Sequence, residues 1–216
     1  MKKGIIFGAL ITLVIIIVSI YFLLYNKIEI KYYYTNEDFN IKNYISNIDK
    51  DEDGIDDQTD ILENVRKYIS TKPKYKSKYY STGYPDDEYG VCTDVVAFGL
   101  LGAGYDLMEL VNDDITNSPN DYKITNIDKN IDFRRVKNLK IYLDRNAISL
   151  TTDVNAIDKW QGGDIVVFEK HIGIVSDKRN KKGIPYVIHH ANPYQLNYEE
   201  DFLEYRDDIV GHYRIT

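Results

Sequence analysis

The feature that most limits what this 216-residue chain can become is a change of apolar period near Asp164. Ahead of it the spacing is helical. In TDILENVRKYI (59–69), Ile61, Leu62, Val65 and Ile69 fall on one helical face. CTDVVAFGLLGAG, starting at Cys92, keeps that spacing and stops at Gly102 and Gly104, as helices often do. VKNLKIYLDRNAI (136–148) is a third helix candidate. From Asp164 onward, DIVVF, HIGIVSD, PYVIHHA and DIVGHYRIT are short, rich in β-branched residues and separated by polar or glycine turns, the pattern of strands. Helices first and strands later predict an α+β fold, with N-terminal helices packed on an antiparallel β-sheet.

The opening MKKGIIFGALITLVIIIVSIYFLLYNK carries 21 uncharged residues from Ile5 to Tyr25. At about 1.5 Å per residue such a helix matches a bilayer core. A secretory signal has a shorter apolar run and a small-residue cleavage site. The expectation is therefore one uncleaved transmembrane helix over 1–26, single-pass in the cell membrane, with the rest extracytoplasmic. A cleaved signal would also place the rest outside. Residues 27–48, polar and tyrosine-rich, read as a stalk or first strand. The expected division continues with an acidic loop over 49–60 and one domain over 61–216. The net charge of −7 argues against nucleic acid as a partner.

DKDEDGIDDQTD (49–60) places Asp49, Asp51, Asp53, Asp57 and Asp60 at loop positions 1, 3, 5, 9 and 12, with Gly54 at position 6. That is the spacing of a twelve-residue calcium loop, in which the glycine permits the turn and alternating carboxylates converge on one hard cation. The expected cofactor is a structural Ca2+. The alternative is a solvated acidic loop that caps the following helix.

Cys92 is the only cysteine, so the chain forms no internal disulfide. A thiol at a helix start faces free backbone N–H groups and the positive end of the dipole, which lowers its pKa from about 8.5 and favours the nucleophilic thiolate. The same N–H groups can hold an oxyanion. Such chemistry needs a base and an orienter. The histidines are His171, His189, His190 and His212. Strand alternation lets only one of His189 and His190 share a face with His171.

WQGGDIVVFEKHIGIVSD followed by YVIHHA resembles the catalytic half of NlpC-type cell-wall cysteine peptidases. The resemblance implies a papain-like, NlpC-like fold with Cys92 as nucleophile, His171 as base and His189 as orienter. GYPDDEYGVCTDVV, NIDFRRVKNL, GDIVVFEKHIGIVSD, VIHHANP and IVGHYRIT resemble, in order, an uncharacterised bacterial family of secreted proteins in that superfamily. Cys-Thr-Asp replaces the usual Cys-Ser-Gly, so the groove differs at Asp94, which either caps the helix or binds substrate. Phe133 and His190 stand where the narrower family has His and Asn. Arg134 and Arg135 are candidates for a carboxylate clamp or for structural salt bridges, and Tyr84 for an oxyanion hydroxyl. The implied activity is hydrolysis of an amide or peptide bond in cell-wall peptide, with no cofactor for catalysis. The alternatives are a calcium-braced binding module that lost catalysis, or a thioester acyltransferase.

Overall fold

The computed structural model of the chain describes residues 8, 10–21 and 33–215, in two units, Met1–Tyr33 and Tyr34–Thr216. In the first unit residues 10–21 are helical. Among the described residues no helix is long and apolar enough to cross a membrane. This overturns the expected single-pass anchor over 1–26 and the extracytoplasmic placement that followed from it. Residues 1–7, 9 and 22–26 of the expected span lie outside the described residues.

The second unit begins earlier than the expected domain. Tyr34 forms a bridge with Arg179, its N–H donating to the Arg179 carbonyl at 3.1 Å and its carbonyl accepting at 2.7 Å. Asn36, 5 % exposed, accepts from Arg179 Nε at 2.5 Å and donates to Gln161 Oε1 at 2.9 Å. The described end of the expected stalk is thus packed into the domain.

Helix α1 (Asp57–Ser70) starts at Asp56, whose carboxylate caps Thr59 N and accepts from Ser46 N at 2.8 Å. Two short strands, β1 (Lys74–Tyr75) and β2 (Tyr89–Gly90), pair in parallel. Helix α2 (Cys92–Gly102) follows at once, then α3 (Leu107–Asn117), the single turns α4 (Pro119–Tyr122) and α5 (Lys129–Asp132), and α6 (Val136–Asn146). The strands β3 (Ile148–Ser149), β4 (Ile165–Phe168), β5 (His171–Arg179), β6 (Pro185–Ile188), β7 (Glu199–Glu200) and β8 (Ile209–Arg214) form one antiparallel sheet in the order β3-β8-β4-β5-β6-β7.

β4 is buried on both faces, which explains its uninterrupted IVVF. Ile165 and Val167 join the larger core with Val65 of α1, Val95 and Leu100 of α2, Val111 of α3 and Leu139 of α6. Val166 and Phe168 point the other way, into a smaller core with Trp160, Val175, Val187 and Leu203. Register decides which imidazoles meet. Ile174 stands opposite Ile188, so Gly173 falls opposite His189 and His171 lies diagonal to it on the same face. Gly173 carries no side chain for a steric reason. A Cβ there would lie 2.6 Å from Val187 Cγ1 and 2.9 Å from the Ile188 carbonyl, pushing β6 and His189 away.

Candidate active site

Cys92 is the first residue of α2 and half-buried. Its helix start is held by Asp94, whose Oδ2 accepts from Val91 N at 2.8 Å. Asp94 is fully buried and grips Arg134 bidentately, Nε to Oδ1 at 2.6 Å and Nη2 to Oδ2 at 2.9 Å. Of the two roles foreseen for Asp94, the cap is the one its contacts fill, and the enclosed carboxylate has no surface for a substrate. Arg134 is correspondingly a structural ion-pair partner. The positions Phe133 and Trp160 are core.

The thiol itself departs from expectation. Desolvation pushes its pKa up to about 11, opposed by the backbone N–H groups of Ile172, Thr93 and Cys92 and reinforced by the Asp94 charge. Burial outweighs the helix start, so the resting group is a thiol rather than a thiolate. The Ile172 N–H belongs to the residue after His171, which places the sulfur against the opening of β5.

His171 Nε2 lies 3.0 Å from His189 Nδ1, the rings edge-on at 5.0 Å. His189 stacks on Phe202 at 4.3 Å. His190 faces the other way, edge-on to Tyr75 at 5.2 Å and Tyr198 at 5.1 Å, as alternation requires. His189 is therefore the imidazole that partners His171. Burial lowers the His171 pKa to about 4, helped by the Arg206 charge, and that of His189 to about 3, helped by His171 itself. Both rings are neutral near pH 7. By alternation they lie on the face of the smaller core, whereas the thiol packs with the larger. The Ile172 N–H brings the thiol to the start of β5, where His171 also stands, and among the described residues no hydrogen bond joins Sγ to either ring.

Other expected site residues lie elsewhere. Tyr84 donates to Asp106 Oδ1 at 2.9 Å and packs on Phe98 and Phe133, so its hydroxyl braces the start of α3 rather than the thiol. Arg135 sits 3.5 Å from Asp132 and lines a cavity of about 450 Å³ with Lys123, Lys137, Glu169 and Lys170. It does not meet the thiol, although Lys170 immediately precedes His171. In the acidic loop, carboxylate oxygens of Asp49, Asp51 and Asp53 lie within 4.8 Å of one another. Asp57 is instead turned inward, accepting from Lys50 N at 2.7 Å and from the Tyr105 hydroxyl. Asp60 is buried, bonded to Asn64 Nδ2 at 2.6 Å, and not one of that group of three. His212 is a buried network residue, joined to the Thr151 carbonyl at 2.7 Å and Asp164 Oδ2 at 3.0 Å.

Sequence reasoning missed Gly173, Glu200 and Tyr68. Glu200 Oε2 lies 3.2 Å from His189 Nε2, an ion pair only when the ring is protonated, and Nε2 has no hydrogen-bond partner among the described residues. Glu200 sits in a two-residue strand, too short to show a period. The Tyr68 hydroxyl is buried, unpartnered and so close to Gly90 that a Cβ there would lie 2.2 Å away. Its sequence signal was an ordinary helical aromatic.

The fold and these contacts define an α+β protein with a half-buried helix-start thiol and a buried pair of neutral histidines. The chain belongs to the family described as "Domain of unknown function (DUF1287)", matched over residues 62–215. It is 36% identical over 167 residues to "Uncharacterized protein YijF" of Escherichia coli (strain K12), covering 71% of this chain and 80% of that one. No solved structure matches it.

Proposed function

We propose that the protein is a cysteine hydrolase of the NlpC-like, papain-like type, cleaving an amide or peptide bond, with Cys92 as nucleophile, His171 as base and His189 as orienter. The observation that carries the reading is the 3.0 Å contact between His171 and His189 at the strand end where the Ile172 N–H meets the thiol.

The carboxylate of Glu200 only accepts protons, so it favours the tautomer of His189 with the hydrogen on Nε2. His189 Nδ1 then accepts from His171 Nε2, which leaves the His171 Nδ1 lone pair as the base. Because the resting pair is thiol and neutral imidazole, deprotonation accompanies attack. His171 Nδ1 takes the Sγ proton as sulfur bonds the carbonyl carbon, a step that requires the ring to close on the sulfur when substrate binds. The N–H groups of Cys92, Thr93 and Ile172 receive the oxyanion. The C–N bond breaks as His171 returns the proton to the amine, and water then hydrolyses the thioester and restores the thiol.

By the motif resemblance the substrate is a peptide or amide bond of the cell wall. The test is to incubate the protein and a Cys92→Ala variant with isolated cell wall and compare released fragments by mass spectrometry. Fragments from the native protein alone support hydrolysis. Products joined to an acceptor other than water indicate acyl transfer. Identical traces support the second reading, a binding module without catalysis, which the raised thiol pKa favours.

A further inference from the structure

We propose that the cavity between the start of α6 and the β4–β5 turn is a binding site for a carboxylate group on a small organic or peptide ligand. Its volume is about 450 Å³, in the range of small-molecule sites. Lys123, Arg135, Lys137 and Lys170 stand around it with Glu169, four cations against one carboxylate, in a chain whose net charge is −7. Buried Tyr122 and Asn138 close it on the protein side. Among the described residues Lys123, Lys137 and Lys170 form no ion pair. Arg135 has only the 3.5 Å contact to Asp132, whose Oδ2 is already taken by Asp128 N at 2.8 Å. Elsewhere Lys74, Lys129, Lys140 and Lys178 each face a carboxylate. Acidic groups are in excess, so cations left unpaired around one cavity do not reflect a shortage of partners.

The main chain adds donors to the same wall. Val136 and Lys137, the first two residues of α6, line the cavity; no side chain caps that helix, and neither N–H has a partner among the described residues. Free N–H groups at the positive end of a helix complement an anion, and converging cations in a recess raise its local concentration. Arg135 offers a planar fork that meets a carboxylate through two parallel hydrogen bonds. Glu169 sets the class of anion, because its charge repels a phosphate dianion more strongly than a carboxylate. Lys170 lies two residues, about 7 Å of extended chain, before Ile172, whose N–H meets the thiol, so the cavity adjoins the candidate active site. Carboxylate binding here does not require Cys92 to be a nucleophile.

The test is an NMR titration of the isotope-labelled full chain with N-acetyl-alanyl-alanine, with its C-terminal carboxamide and, separately, with sodium phosphate. The free acid should shift the backbone amides of Val136, Lys137 and Lys170 with Kd on the order of 1 mM, and the carboxamide should bind about tenfold or more weakly. Arg135→Gln and Lys170→Gln, both at exposed positions, should each weaken binding of the acid by about tenfold. Lys182→Gln, beyond the far end of β5 and paired with Glu204, should leave it unchanged. Cys92→Ala should also bind the acid like the native chain, which separates this site from the hydrolase reading. Equal affinity for acid and carboxamide, no shift of those three amides up to about 20 mM acid, or binding of phosphate there without binding of the acid overturns the proposal.

Discussion

Two buried histidine sites on the same sheet differ in how completely their polar atoms are satisfied. Around Asp164, the carboxylate and the imidazole of His212 are saturated with partners, and Gln58 Oε1 alone of the side-chain atoms bound there is left without one. Its fully buried carboxylate accepts from Gln58 Nε2 at 2.9 Å, Gln161 N at 2.8 Å, and Arg214 Nε and Nη2 at 2.7 and 2.8 Å, with His212 Nε2 at 3.0 Å. His212 uses both ring nitrogens and lies flat on Trp160 at 3.7 Å. At the other end, Tyr68 OH, Thr93 Oγ1, His189 Nε2 and His190 Nδ1 are buried without hydrogen-bond partners. A satisfied network holds a fold in one arrangement. Unsatisfied buried donors and acceptors are a standing cost.

The contrast gives an ordered set of expected outcomes. Cys92→Ala should lower cell-wall hydrolysis by about 10⁴-fold or more while leaving Tm nearly unchanged. A comparable loss from removing His212 with the fold intact would erase the distinction between the sites. Asp164→Ala strands Arg214 and His212 and should cost about 3–5 kcal/mol, read from urea unfolding. Gly173→Ala should cost about 1–3 kcal/mol by overpacking β5 against β6, and lower activity further by displacing His189.

The pH dependence follows from the lowered imidazole pKa values. A histidine near 6.5 when unfolded and about 4 when folded takes up its proton first in the unfolded chain. The unfolded state then binds more protons, so stability is full above about pH 6.5 and falls as pH drops toward 4. Thermal melts across that window should show this, and His171→Gln should flatten the slope. The smallest effect is at the thiol. With its pKa near 11, Cys92 should react with iodoacetamide at pH 6 more slowly than free cysteine. Fast alkylation would restore the helix-start thiolate that the sequence alone suggests.

Several strands and helices were legible because their signal is local. The periods of 59–69 and 92–104 became α1 and α2, and IVVF and HIGIV became β4 and β5. The helix expected to 148 ended at Asn146, with Ile148 passing into β3, since exposed edge residues carry little period. The short elements α4, α5, β1, β2 and β7 had too few residues to reveal one. The anchor was read from a hydrophobic run, a property of composition that no described helix fulfils.

Within the candidate site, sequence determined which side chains are present and that His189 and His190 must face opposite ways, because a strand alternates. It determined too that Cys92 begins a helix. Tertiary structure decided the rest. Strand register selected His189 as the partner of His171, the ion pair with Arg134 holds Asp94 in the interior, and packing raised the thiol that the helix start alone would have lowered. Charge states depend on how much water the whole fold removes, and that quantity is written nowhere in a local stretch of residues.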